Sequence, residues 1–501
     1  MLILLVLVTI PFWIFLILLW YVKQFRYIRA FKRIPGPTPW PIVGNALEFT
    51  SLNDVIPKMV EWKQKYGNLY RMIIGYVPPN LIICDYKFVE FLLSSNVVLG
   101  KSLIYNFVHR WLGKGLLTST GIHWKKHRKI ITPAFHFKIL ENFIDVFEKN
   151  SNILIKTLEN EVNSKSFDVY PYIKLMALDI ICETALGTEI NAQLDKESKY
   201  ASSVEDLCSL VIKRGINIVY KLEFLYQRTN LYKQELQALD VLHSTTQSVI
   251  KNKKAKMGNS SVTDETENEY GIKKKLAFLD LLLQSTIDGR PLSDAELQDE
   301  VSTFMFAGHD TTASAISFVL YNLSLYPDIQ NKVVMEQKLI FSDNFDRTCS
   351  YSDLNEMKYL EAVIKESLRL FPSVPMIGRM HDEDIEFDGI KIPAGTPLII
   401  FIYGLMRDPK HFPEPEKFNP NRFLVKGEGN HSPFSYIPFS AGPRNCLGQK
   451  FAMLEMKSAI SKVIRRYELL PADPVHELLL SLEITLRSSN GIKIRIRERK
   501  Q

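Results

Sequence analysis

The loop from Phe439 to Gly448, with the sequence FSAGPRNCLG, constrains the fold more than any other segment of the chain. The residues that follow it, QKFAMLEMKSAISKVIRRYEL, carry apolar side chains at helical spacing, so Cys446 is predicted to lie at a helix N-terminus. There the helix dipole and the free backbone N–H groups stabilise a thiolate. Gly442 permits a tight turn, and Gly448 leaves a surface against which a flat ligand can lie. A lone cysteine in an apolar setting is more often structural than reactive, so the cysteine by itself does not decide between the two roles.

A second long helix is predicted upstream, beginning at the capping box of Ser293 and Glu296 and ending near Pro327. Its middle, AGHDTT at residues 307–312, is rich in poor helix formers, and Thr hydroxyls there can bond back to the backbone. Such a turn can leave a groove for a small ligand beside Asp310 and Thr311, which would supply protons and a hydroxyl. From these residues alone, a buried Asp with satisfied hydrogen bonds is an almost equal alternative.

A buried ion-pair network is predicted in the segment EAVIKESLRLFP. Glu366 and Arg369 are three residues apart and therefore share one helix face. Because the surrounding segment is mostly apolar, the pair is expected to be buried, with Arg422 completing the network. Its expected role is structural.

The first 22 residues contain no charged side chain. A run of this length can form a helix that crosses a bilayer. Basic residues follow, and no acidic residue appears before Glu48. This polarity is opposite to that of a cleavable signal peptide and predicts a retained anchor with the remaining chain on the cytosolic side. The predicted organisation is therefore a transmembrane signal anchor at 1–22, a basic and proline-rich hinge at 23–46, and one large domain at 47–501.

Composition excludes several classes of protein. The net charge of +7 is modest, and aromatic side chains are not interleaved with basic ones, so nucleic-acid binding has little support. Five cysteines that are far apart suit a reducing compartment and form no disulfide framework.

The remaining patterns predict a mainly α fold with small β-sheets. Two strand-like runs, NLYRMIIG and NLIIC, precede a long helical stretch over about 85–370. The polar segment Lys251–Lys275 is predicted to be a surface loop. Near the C-terminus, EITLRSSNGIKIRIR has the alternation and the Asn-Gly turn of a hairpin.

Taken in order, these motifs resemble those of the cytochromes P450, over essentially the whole chain. The pattern Phe-x-x-Gly-x-Arg-x-Cys-x-Gly resembles the haem-binding loop of that family. The stretches EVSTFMFAGHDTT (300–312) and ETALGTEINAQ (183–193) look like family 4, especially its insect members. The resemblance implies the cytochrome P450 fold, with a single large haem domain after the N-terminal helix. It also implies a monooxygenase that holds haem b, with Cys446 as the axial iron ligand.

The resemblance also implies roles for individual residues. Asp310 and Thr311 match the acid–alcohol pair that delivers protons, and Glu366, Arg369 and Arg422 match a structural ion-pair network. The residues matching the cofactor-binding positions are Trp124, Arg128, Arg379, Phe439, Arg444, Cys446 and Gly448. The predicted substrate contacts are Phe306, Ala307, Val374, Met376, the 105–120 loop and the C-terminal hairpin.

One departure from family 4 concerns haem attachment. Many relatives carry a Glu that forms an ester with a haem methyl, whereas this chain has Ala307. Because Ala has no nucleophile, the haem is predicted to be bound non-covalently.

The implied partners are NADPH–cytochrome P450 reductase, cytochrome b5 as a further electron donor, a lipophilic small molecule and membrane lipid, and the implied location is the endoplasmic reticulum membrane. Lys125, Lys126 and Lys129 are candidates for contacts with the reductase, although a solvated surface is an equal alternative. Two other functions are alternatives: an oxygen-independent haem-thiolate isomerase or dehydratase, and a haem-based gas sensor or carrier.

Overall fold

The computed structural model describes residues 11–500 except 12, 13, 16, 20, 23, 24, 28, 76, 196, 197, 260–276, 343 and 425–431. Much of the anchor predicted at 1–22 therefore lies outside the described residues. Within the described part of the chain, no helix has both the length and the hydropathy needed to span a bilayer.

Helices make up most of the described structure, as predicted. In the N-terminal half they are α1 Val55–Tyr66, α2 Tyr86–Ser94, α3 His109–Leu112, α4 Gly121–Ile131, α5 Phe137–Leu140, α6 Ile144–Leu158, α7 Tyr170–Leu186, α8 Lys199–Ile216, α9 Ile218–Lys221, α10 Glu223–Tyr226 and α11 Asn230–Asn259. In the C-terminal half they are α12 Phe278–Gln284, α13 Asp294–Leu325, α14 Pro327–Phe341, α15 Tyr351–Glu356, α16 Lys358–Leu370, α17 Ile402–Leu405 and α18 Gln449–Arg466.

The strands are short and form small sheets. They are β1 Leu69–Met72, β2 Asn80–Ile83, β3 Phe167–Asp168, β4 Thr286–Ile287, β5 Arg290–Pro291, β6 Ile377–Arg379, β7 Ile385–Phe387, β8 Ile390–Ile392, β9 Leu398–Ile400, β10 Tyr467–Pro471, β11 Leu480–Leu482, β12 Leu486–Ser488 and β13 Lys493–Glu498. The largest sheet has the order β1-β2-β9-β6, in which β2 and β9 are parallel and the other pairs antiparallel. The two strands predicted from NLYRMIIG and NLIIC are its first pair, with Leu69 opposite Ile83.

Helix α13 forms the centre of the main core. The predicted capping box is present: Ser293 Oγ accepts from the Glu296 N–H, and the Glu296 carboxylate accepts from the Ser293 N–H. The helix runs for 32 residues, about 48 Å, and Pro327 begins the next helix. Nearly all of its residues after the first turn are buried, and it packs against α7, α16 and α18. An element buried on every face positions its side chains firmly.

The prediction of a loop at Lys251–Lys275 is wrong for the first residues of this segment. Helix α11 continues to Asn259, because Val249 and Ile250 are buried and the following Lys and Ala residues are good helix formers. The rest of the predicted loop lies outside the described residues.

The prediction that EITLRSSNGIKIRIR forms a hairpin is also wrong. Strand β12 pairs with β11, whereas β13 pairs with β10 and β3, so the Asn-Gly turn joins two different sheets. Gly491 has φ of 81°, and Asp168 accepts a hydrogen bond from the Ile492 N–H, which directs the chain towards β3. The true hairpin is β11–β12, and its turn at residues 483–485 faces the cavity described below.

Candidate active site

A cavity of about 640 Å³ with a mostly apolar surface lies between α13, the loop before α18, the segment after α16 and the β11–β12 turn. Part of the predicted 105–120 loop also lines it. The sequence-predicted residues in its wall are Trp124, Arg128, Phe306, Ala307, Thr311, Val374, Met376, Arg379, Phe439, Arg444, Cys446 and Gly448. A single cavity therefore contains most of the side chains that the motifs single out.

Cys446 lies on one wall of the cavity, where the loop geometry fixes its position. Its backbone N–H donates to the carbonyl of Phe439 at 2.9 Å, which closes the loop. Gly442 has φ of 69°, and a Cβ there would come within 1.7 Å of the Leu93 carbonyl, so only glycine fits. Burial raises the pKa of the Cys446 thiol, while the Gly448 N–H and Arg128 lower it. A metal cation that displaces the thiol proton would be held here as predicted from the loop.

The surface beside Cys446 has room for a flat ligand. A Cβ built at Gly448 would contact only the edge of Phe135, at 3.8 Å. Phe439 also lines this part of the cavity. The predicted bare helix surface is therefore present at the start of α18.

Three arginines line the cavity and are anchored by neutral groups. Arg128 donates to Asn445, at 3.0 Å to the carbonyl and 2.7 Å to Oδ1. Arg444 lies 4.4 Å from the centroid of the Trp124 ring and donates to the carbonyls of Leu116 and Ser119. Arg379 is 2% exposed and donates to the carbonyl of its neighbour Gly378 at 3.3 Å. These hydrogen bonds leave the positive charges uncompensated.

Burial opposes the positive charges of the three arginines. Burial lowers the pKa values of Arg128 and Arg379, and burial together with repulsion from Arg379 lowers the pKa of Arg444 to about 9. In the described part of the chain, no carboxylate is within ion-pair distance of the three. A ligand with two carboxylates would relieve this repulsion.

Lys101 is a fourth basic side chain in the cavity wall, and the sequence did not single it out. Its pKa is lowered well below the ordinary value by burial and by repulsion from Arg379 and Arg444. Its ammonium group lies 4.4 Å from the centroid of the Tyr105 ring. A single lysine in an irregular segment carries no spacing pattern, so the sequence held no signal for it.

The side of the cavity formed by α13 carries Phe306, Ala307 and Thr311. The helix is continuous through this cluster, so the predicted opening of the turn is not present. The Thr311 hydroxyl instead donates to the carbonyl of Ala307 at 2.8 Å, the back-bonding expected of Thr in a helix. Val374 and Met376 line the cavity from the segment after α16.

Asp310 does not line the cavity. It is fully buried, pairs with Arg487, and accepts from Thr485 Oγ1 at 2.6 Å and from the Tyr170 hydroxyl at 3.1 Å. Burial opposes its ionisation, but Arg487 and the hydrogen bonds hold its pKa below the ordinary value. Successive residues on a helix point about 100° apart, so Asp310 and Thr311 face different surroundings. The geometry matches the alternative of a satisfied buried Asp.

The β11–β12 turn connects Asp310 to the cavity, and it lies within the C-terminal segment that was predicted to contact the substrate. Thr485 lines the cavity while donating to Asp310. Glu483 lines it too, and burial raises the pKa of this carboxyl to about 7. The sequence did not single out Glu483 or Thr485, because it assigned the turn of this segment to Asn490-Gly491.

Glu366, Arg369 and Arg422 lie together outside the cavity. Arg369 donates through two nitrogens to Glu366, at 2.8 and 2.9 Å, and Arg422 Nε donates to the same carboxylate at 3.3 Å. The Asn419 N–H adds a bond at 2.9 Å. Glu366 and Arg369 are both 0% exposed. This network ties α16 to the segment before the cysteine loop.

Comparison with known proteins agrees with this geometry. The profile of the family Cytochrome P450 matches residues 34–493. Cytochrome P450 4d2 of Drosophila melanogaster is 44% identical, covering 93% of this chain and 94% of that protein, and cytochrome P450 4c3 of the same species is 42% identical, covering 95% and 91%. Human cytochrome P450 4V2 is 40% identical, covering 94% and 92%. The chain therefore belongs to the cytochrome P450 family, within family 4, and is a monooxygenase with a cysteine-ligated haem b.

Proposed function

We propose that this protein inserts one oxygen atom from O₂ into a lipophilic substrate, using electrons from NADPH that a separate reductase delivers. The observation that carries the proposal is one apolar cavity with Cys446 on one wall, uncompensated cations at its edge and the middle of α13 on another wall. Fatty acids, terpenoids, steroids and foreign lipophilic compounds are the substrate classes that suit such a surface.

The residues present fit a haem. Cys446 supplies the thiolate for the iron, Arg128, Arg379 and Arg444 offer charge to two propionates, and Gly448 leaves space for the ring. The Trp124 ring packs against the Arg444 guanidinium, and Lys101 adds a further basic side chain. When bound, the thiolate-ligated haem supplies the activation of O₂.

The chain's own residues would position the substrate and the protons. Phe306, Ala307, Val374 and Met376 exclude water from the apolar part of the cavity. Thr311 holds a hydroxyl at the wall, and Asp310 orients the Thr485 hydroxyl, which also reaches the cavity. We propose that Asp310 contributes to proton delivery through Thr485.

We also propose that residues 1–22 anchor the protein in the endoplasmic reticulum membrane, with the catalytic domain on the cytosolic side. Among the described residues of this segment, apolar side chains such as Phe15, Leu18 and Val22 are exposed, at 57%, 57% and 71%. Burial of such side chains in lipid is favourable. Lys125 and Lys129 are exposed on α4, whereas Lys126 pairs with Asp288, so the first two are the better candidates for contact with the reductase.

The test of the proposed function is turnover of a lipid panel by the full-length protein with NADPH and cytochrome P450 reductase, with products identified by mass spectrometry. We expect oxygenated products that require both NADPH and O₂. An isomerase or dehydratase would form product from a peroxide without either reagent, and a gas sensor or carrier would form none. Either result would contradict the proposal.

Replacing Thr311 by Val should uncouple NADPH consumption from product formation, because the substitution removes the hydroxyl and keeps the shape. We expect a lower yield of product per NADPH and a higher yield of hydrogen peroxide. Thr311→Ser, which keeps the hydroxyl, should restore most of the coupling. If NADPH consumption is coupled to product formation equally well in the Val and Ser variants, the Thr311 hydroxyl has no role in the mechanism.

Acid–organic extraction of the purified protein should release all of its haem, because Ala307 offers no carboxyl group for an ester. The measurement is the haem absorbance of the organic phase against that of the precipitated polypeptide. Haem that stays with the polypeptide would contradict non-covalent binding.

A further inference from the structure

Two histidines and a glutamate form a cluster that the monooxygenase site does not use. His123 and His127 are four residues apart on α4 and so share one face, and Glu296 lies in the first turn of α13. Each offers one ligand atom, and the three atoms lie within 4.8 Å of one another. His127 Nε2 is 4.0 Å from a Glu296 carboxylate oxygen.

The tautomer of His127 is determined by its hydrogen bond to Glu300. Nδ1 lies 2.8 Å from one Glu300 oxygen, and the other oxygen accepts from the Leu116 N–H at 3.0 Å. Nδ1 therefore carries the proton, and Nε2 presents a lone pair. His127 is 1% exposed, yet Nε2 has no hydrogen-bond partner within the described structure. Leaving a buried acceptor unpaired costs free energy, which a bound cation would offset.

The other two groups are also arranged to donate lone pairs. His123 Nε2 lies 3.0 Å from the carbonyl of Lys114, so it donates its proton there and leaves Nδ1 free. The rings of His123 and His127 are stacked with centroids 4.0 Å apart. The Glu296 carboxylate accepts from two nitrogens of Arg290, each at 2.8 Å, and from the Ser293 N–H, and its two oxygens keep lone pairs beyond these bonds.

We propose that His123, His127 and Glu296 bind a divalent transition metal ion, with Zn²⁺ as the ion that this donor set fits best. Two imidazoles and one carboxylate, completed by water, are a common zinc ligand set. Bonds of about 2.0–2.1 Å place tetrahedral ligand atoms about 3.4 Å apart, so the side chains would contract slightly from their present separations. Glu300 would orient His127 from behind, the usual arrangement for a metal-bound histidine.

Binding here would join two helices that both contribute to the cavity wall. Helix α4 contributes Trp124 and Arg128, and α13 contributes Ala307 and Thr311. A metal between α4 and the start of α13 is therefore expected to resist their separation. Zn²⁺ should raise the midpoint of thermal unfolding of the holoenzyme.

The test is calorimetric titration of ZnCl₂ into chelator-treated holoenzyme that carries no histidine tag. We expect one tight site per chain and at least tenfold weaker binding in His123→Ala, because this variant removes one of the three ligands. His476→Ala is the matched control, because His476 is also half-buried and also bonds a carbonyl, that of Gly491, through Nε2. Its Zn²⁺ affinity should equal that of the unsubstituted protein.

Glu300→Gln provides a second, independent readout. It keeps the volume of the buried side chain but weakens the orientation of His127, and loss of such a partner lowers metal affinity by about 10–100-fold. The thermal shift caused by Zn²⁺ should shrink in Glu300→Gln and in His123→Ala, and persist in His476→Ala. The proposal is overturned if His123→Ala binds Zn²⁺ as tightly as the unsubstituted protein, or if His476→Ala loses as much affinity.

Discussion

Replacing Glu366 by Ala should lower the free energy of unfolding by about 3–5 kcal/mol, the usual loss when one partner of a buried ion pair is removed. The carboxylate is 0% exposed and accepts from Arg369, Arg422 and the Asn419 N–H. Its removal would leave the Arg369 guanidinium buried without a counterion. Urea unfolding followed by tryptophan fluorescence measures the loss.

Glu498→Ala is the matched control for the Glu366 variant. Glu498 also pairs with an arginine, Arg466, at 2.9 Å, but the two side chains are 61% and 45% exposed. Water and salt screen such a pair, so we expect a loss of at most about 1 kcal/mol. Similar losses in the two variants would show that the Glu366 network does not stabilise the region before the cysteine loop.

Replacing Cys446 by Ala should abolish monooxygenase turnover. Loss of a residue that only orients a metal ligand lowers metal affinity or activity by about 10–100-fold. Loss of the ligand itself should therefore lower turnover by more than about 100-fold. The haem content per polypeptide should also fall, because only the contacts with the arginines would then bind the haem. The measurements are product formation and the ratio of haem to protein absorbance.

Cys349→Ala is the control for the cysteine substitution. Cys349 is 2% exposed and does not line the cavity. We expect this variant to keep its haem and its turnover. Normal turnover in Cys446→Ala would show that Cys446 does not bind the iron.

The parts of the site that follow from local spacing could be predicted from the sequence. Cys446 lies in a loop that one short motif specifies, and Glu366 and Arg369 face each other because of an i, i+3 spacing. The long helix between Ser293 and Pro327 is marked at both ends by residues with strong positional preferences. In each case the determining residues are neighbours in the chain.

The environment of Asp310 could not be predicted in this way. Its partners Arg487 and Thr485 come from the β11–β12 hairpin, more than 170 positions away in the chain. The sequence shows that Asp310 and Thr311 are adjacent, but only the packing of α13 shows that one side chain faces the hairpin and the other the cavity. A motif identifies the residue types, whereas tertiary structure decides what each side chain contacts.

The C-terminal strands show how local turn signals can mislead. Asn490-Gly491 has the composition of a hairpin turn, yet strands β12 and β13 on either side of it pair with other strands. β13 has partners on both sides, β10 and β3. Pairing between distant strands therefore outweighed the local turn preference of Asn490-Gly491. Because β12 pairs with β11, the turn that contains Glu483 and Thr485 lies at the cavity wall.

The most direct test of thiolate ligation is the absorption spectrum of the purified, reduced protein exposed to carbon monoxide. Our account predicts the red-shifted band typical of a thiolate-ligated haem, present in Cys349→Ala and missing in Cys446→Ala. A reduced protein that binds carbon monoxide without this band, or a Cys446→Ala variant that retains it, would contradict the assignment of Cys446 to the iron.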